Sequence, residues 1–189
     1  MNFENKINEL MESNVTEKCY KFWKAINQKF PTIWNRLSSS TKKYHKRKDS
    51  SVPTIAEHTY EMLYSASKLM RMFNINKNTI ECDVLFLSIV FHDFFKYGTN
   101  PDTREHTDRK HDKISADIIL KNKDVFLKFL NEENFSILEE AVRFHSGRWS
   151  TDLENKSEIE KNDFLSGVSG IATFVHTLDM MSTEDLIKV

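Results

Sequence analysis

The sequence predicts an all-α protein, and three observations carry that prediction. Glycine and proline are scarce, at four and three in 189 residues, so the chain holds few of the residues that break helices or build tight turns. Its apolar residues recur every three or four positions instead of alternating, the spacing of helices that press one face into a core. Cap residues also stand at helix-start spacing, as in Thr54 with Glu57 and Ser136 with Glu139.

Taken in order, the first elements are helices around 3–12 and 16–29. The second places Val15, Cys19, Phe22, Trp23, Ile26 and Phe30 on one face. Pro31 restarts the chain in a short helix with Trp34 and Leu37. Pro53 and Thr54 open the next helix, which puts His58 in its first or second turn. From Asp83 to Tyr97 the run Val84-Leu85-Phe86-Leu87-Ser88-Ile89-Val90-Phe91 is apolar on nearly every side. It reads as a central buried helix closed by Gly98, with a buried strand as the competing reading. A polar loop over 99–108 leads to a helix whose His111, Ile114 and Ile118 share a face. The Ser136–Glu139 box starts a further helix, with Leu138, Ala141, Val142 and His145 on one stripe before Gly147. A last helix over 163–181 aligns Phe164, Val168, Ile171, Ala172, Val175 and Asp179.

Composition narrows the function classes. With 39% hydrophobic and 29% charged residues the chain is globular and not disordered, and its length suits one domain. The expected organisation is an N-terminal helical extension over 1–40, packed on the same core as a domain over 41–189. A net charge of −1 argues against a generic polyanion binder. The basic run Lys42, Lys43, His45, Lys46, Arg47 and Lys48 reads equally well as a phosphate contact or a solvated loop. Cys19 and Cys82 show neither zinc-knuckle nor disulfide spacing and read as reduced structural residues. With no apolar leader and no run of about 18 apolar residues, the expectation is a cytoplasmic protein with no membrane partner.

Asp179 on an apolar face is the first sign of a site, because a buried ionised carboxylate without compensation costs several kcal/mol. A single histidine on such a face is more often an ordinary core residue. Here His58, the adjacent His92-Asp93, His111, His145 and Asp179 come from five predicted helices, all facing inward. A divalent metal centre explains them together, since imidazoles and carboxylates are its usual ligands.

The series His58, His92-Asp93 and Asp179 resembles the motif of the HD (histidine-aspartate) superfamily of metal-dependent phosphohydrolases, and His111 with His145 matches the members that hold two metals. The resemblance spans about residues 38–183. It is nearest to the HD domain of bacterial 3′-to-5′ exoribonucleases and related phage and bacterial HD hydrolases. Tyr44-His45 stands where those carry a Tyr-His or His-His element, and His92-Asp93-Phe94-Phe95-Lys96 matches their His-Asp-x-x-Lys with Phe95 replacing a glycine. His145-Ser146-Gly147-Arg148 is similar to their His-His-Gly-Lys with Ser146 replacing the second histidine, and His176 with Asp179 is similar to their closing His-x-x-Asp.

The resemblance implies an HD-domain helical bundle and one or two divalent ions, drawn from Mn, Mg, Fe, Co, Ni or Zn. His58, His92, Asp93 and Asp179 would hold the first, and Asp93 would bridge to a second held by His111 and His145. It further implies metal-assisted hydrolysis of a phosphoester in a nucleotide or short nucleic acid. Asp93 takes part in catalysis, Lys96 and Arg148 bind phosphate oxygens or serve as ordinary surface cations, and His45 is a substrate contact or proton donor. His106 reads as a solvated loop residue and His176 as a partner that orients a ligand. A noncatalytic nucleotide-binding or regulatory module and an HD-fold diiron oxygenase are the alternatives.

Overall fold

The computed structural model describes residues 2–29, 31–39, 50–100 and 103–184. The basic run and His45 lie outside them. Among the described residues the fold is all-helical, with no strand; its one trace of β pairing is an isolated bridge between Leu37 and Thr54.

Most α-helices start under a side-chain cap that satisfies amide hydrogens left without an intrahelical partner. Asn2 caps α1 (Phe3–Asn14), Thr16 caps α2 (Glu17–Asn27) and Thr54 caps α3 (Ile55–Leu69) through the Glu57 amide. Thr79 caps α4 (Ile80–His92). Next come α5 (His111–Lys121), the single turn α6 (Lys123–Phe126) and α7 (Glu132–Arg143) under Asn131. Ser157 and Glu160 form a reciprocal capping box on α8 (Glu158–Ser166), and Ser169 caps α9 (Gly170–Thr183).

Three boundaries differ from the sequence reading. The central helix is α4, which starts at Ile80 and ends at His92; from Asp93 to Gly98 the chain runs in tight turns, with Lys96 N–H bonded to Asp93 O and Gly98 N–H to Phe95 O. Gly98 closes those turns at φ +76°, where glycine is favoured. Ser136 and Glu139 are not a cap, because α7 starts four residues earlier under Asn131, whose side chain accepts the Asn134 amide without an acidic partner. The helix expected over 163–181 is two helices. Gly167 ends α8, and Ser169 starts α9 while its own amide is held by Glu140 at 2.9 Å.

Helix α4 is the axis of the bundle. Every residue from Cys82 to His92 is buried, and α3, α5, α7 and α9 all pack on it. Each of its buried leucines and phenylalanines contributes ~2 kcal/mol of burial. The N-terminal helices join this core through Ile7, Met11, Cys19 and Trp23. Thr16 ties them to α4, giving its amide and hydroxyl hydrogens to Asp83 at 2.7 and 2.6 Å. Trp23 meets Phe91 and Phe94 edge-on, which braces the end of α4 where the His92-Asp93 pair stands.

Candidate metal centre

Five segments deliver six side chains to one point. His58 lies in the second turn of α3, His92 ends α4, and Asp93 is the next residue. His111 opens α5, His145 follows the end of α7, and Asp179 comes from α9. Their ligand-type atoms fall into two groups, each within 4.8 Å: His58, His92 and Asp179 in one, Asp93, His111 and His145 in the other. In the first, His58 Nε2 lies 3.1 Å from His92 Nε2 and 3.1 Å from Asp179 Oδ1. In the second, His111 Nε2 lies 3.2 Å from His145 Nε2 and 3.2 Å from Asp93 Oδ1. Asp93 faces both groups, for its Oδ2 is 3.6 Å from His92 Nε2 and its Oδ1 is 3.7 Å from His145 Nε2.

Hydrogen-bond partners assign the ring tautomers. A main-chain carbonyl only accepts, so His92 Nδ1 donates to Ile89 O at 2.6 Å, His111 Nδ1 to Asp108 O at 3.0 Å and His145 Nδ1 to Val142 O at 2.7 Å. Around His58, Ser182 gives its proton to Glu61 at 2.7 Å and so accepts from His58 Nδ1 at 2.9 Å. All four Nε2 atoms thus turn lone pairs toward one another and toward carboxylate oxygens. Buried Asp93 Oδ1 accepts no hydrogen bond. Such a donor set could hold a divalent cation, whose charge would offset the mutual repulsion of these lone pairs.

Protonating the rings would relieve the conflict, but at His92 and His145 burial opposes it. Burial pushes His92 down to about 3, against the pull of Asp93. Burial also lowers His145, and His111 beside it adds to the shift. At Asp93 burial alone would raise the carboxyl; the Lys96 ammonium beside it overrides burial and holds the group well below the usual carboxylate range. Lys96 Nζ lies 2.5 Å from Asp93 Oδ2, and both side chains are almost fully buried. Neutral imidazoles with an ionised aspartate are the protonation states that metal binding needs. The C-terminal end of α4 also carries partial negative charge toward the site.

Of the other expected site residues, Arg148 is paired with Glu158 at the surface. His106 is exposed in its loop. His176 sits under the site, its Nδ1 donating to His145 O at 2.6 Å. Gly147, at φ +56°, leaves room for that ring, since a Cβ there would stand 2.5 Å from His176 Cε1.

The sequence reading missed Glu61, Ser182 and Asp112. Asp112 is buried and accepts the amide and hydroxyl of Thr151 at 2.7 and 2.6 Å, anchoring the turn after His145. One signal was available: Glu61 lies three residues after His58 and Ser182 three after Asp179, so each shares a helix face with a ligand candidate.

The protein-family model described as HD domain matches residues 55–183, more than half of the chain. No curated protein and no solved structure matches. No described helix is long and apolar enough to cross a membrane.

Proposed function

The chain belongs to the HD-domain family, and from that premise we propose that it is a metal-dependent phosphohydrolase acting on a nucleotide or short nucleic acid. The carrying observation is the pair of triads, each of two imidazoles and a carboxylate, meeting at Asp93. His58, His92 and Asp179 are the residues to hold one ion, and His111 with His145 a second, with Asp93 between them. When bound, such ions supply Lewis acidity for phosphoryl oxygens and lower the pKa of water toward neutrality.

The chain's own residues do the rest. Asp93 is held ionised by Lys96, so it stays an acceptor throughout. Lys96 keeps a cation beside the site, suited to a nonbridging phosphate oxygen as a point charge. Arg148 serves the same purpose as a fork if it leaves Glu158 for the substrate. His45 is assigned a substrate contact by the likeness of its sequence neighbourhood alone.

The test is metal content of the purified protein together with product release from mono-, di- and cyclic nucleotides and short oligonucleotides, with Asp93→Ala as control. Metal-dependent turnover that disappears in the variant establishes the hydrolase and names the ester. Bound metal without turnover points to a regulatory module, iron with oxygen consumption to an oxygenase, and absence of metal rejects the centre.

A further inference from the structure

His58 is held differently from the other three histidines. His92, His111 and His145 give their Nδ1 protons to main-chain carbonyls, which no side-chain substitution removes. His58 depends on two side chains. Its Nδ1 meets Ser182 Oγ at 2.9 Å, and Ser182 passes its own proton to Glu61 Oε2 at 2.7 Å. Ser182 is 5% exposed and Glu61 4%, so bulk water does not stand in for either.

Helix spacing explains the arrangement. Asp179 and Ser182 are three apart on α9 and share its inward face, so that one helix touches both ring nitrogens of His58: Asp179 Oδ1 at Nε2 and Ser182 Oγ at Nδ1. Glu61 lies one turn beyond His58 on α3 and receives the hydroxyl from the other side. A hydroxyl has one proton to give. While Glu61 takes it, Ser182 can only accept from His58, and the ring carries its proton on Nδ1. If Glu61 stopped accepting, Ser182 could donate to Nδ1, and the ring proton would move to Nε2. There it would point at His92 Nε2 and Asp179, in the middle of the donor group.

Building on the metal reading above, we propose that Glu61 and Ser182 are positioning residues that hold His58 in the Nδ1–H tautomer, keeping its Nε2 lone pair for a divalent ion. They touch neither ion nor substrate and act only through His58.

The experiment uses the full chain in three forms: wild type, Ser182→Ala and Glu61→Gln. Nitrogen-15 spectra of the histidine rings, recorded without metal, report which nitrogen of His58 bears the proton. Calorimetric titration with Mn²⁺ alone then reports affinity. The expected wild-type spectrum has the proton on Nδ1, and both variants gain a population with it on Nε2. Mn²⁺ affinity in the variants falls by about 10- to 100-fold, the usual effect of losing such a partner, and Ser182→Thr, which restores the hydroxyl, recovers most of it. An unchanged His58 tautomer in both variants overturns the proposal, and so does lost affinity with the tautomer intact, which would make Ser182 a packing residue. The spectra need no metal, so a wild-type protein that shows the expected tautomer and ignores Mn²⁺ overturns the metal reading while the Glu61–Ser182–His58 relay stands.

Discussion

The half of the centre around His58 and the half around His111 use the same donors and are built in different ways. In the first, His58 and Asp179 project from within α3 and α9, and His92 is the last residue of α4, buried from Cys82 onward. In the second, the histidines stand at helix ends: His111 begins α5 and its side chain is 16% exposed, while His145 lies just beyond α7. Helix ends leave main-chain carbonyls without partners, and those at Ile89 and Val142 are what His92 and His145 use. The difference teaches that a histidine at a helix end finds a hydrogen-bond acceptor in the backbone, whereas one within a helix meets a side chain instead, as His58 meets Ser182.

The largest effect is expected where the halves join. Asp93→Asn keeps the side chain's size and removes the shared charge. It should weaken both metal-binding steps and lower kcat/KM by ~10³-fold, about 4 kcal/mol of transition-state stabilisation. Loss confined to one step in a metal titration would show that the halves are independent. Next in size is a contrast in folding stability without metal. His92→Ala opens a cavity at the core and should cost about 2–4 kcal/mol, whereas His111→Ala at an accessible helix start should cost under ~1 kcal/mol. Equal costs in urea denaturation would erase the distinction drawn here.

Gly147→Ala probes the second half from beneath. The new Cβ would both require φ +56° and collide with the His176 ring, for a cost of ~2 kcal/mol, and by displacing the His145 carbonyl it should weaken one Mn²⁺ step more than the other. Urea denaturation and calorimetry on the same variant check both effects.

The last effect is spread over a range of pH. His92 is pushed down to about 3 in the folded protein, while the unfolded chain takes up the proton near 6.5. The unfolded state therefore binds more protons as acid is added. Metal-free stability is complete above about 6.5 and should fall by roughly 1.4 kcal/mol per pH unit toward 3 from this residue alone. His145, shifted the same way, steepens the slope. Thermal melts of wild type and His92→Ala across that range measure it, and parallel profiles would remove His92 as the cause.

Much of this was legible in the sequence, for identifiable reasons. Among the candidate ligands, His111, His145 and Asp179 stood out because each shares an apolar stripe, and the apolar run before His92-Asp93 marked the central helix. The Ser136–Glu139 reading failed because the capping-box pattern favours an acidic third residue, and the true cap, Asn131, works without one. The break at Gly167–Ser169 was hidden by apolar spacing that continues across it. Glu61 and Ser182 escaped notice because a buried polar pair 121 residues apart in sequence becomes a pair only when α3 and α9 pack together.

Helix α4 has no wet face from Cys82 to His92, and a rod clamped on all sides cannot roll to meet a ligand. His92 and Asp93 at its end are therefore held in place by the fold alone, unlike the donors of small metal domains in which binding and folding are one event. Little apolar surface is left to bury when the ion enters, so Mn²⁺ binding should show a heat-capacity change near zero.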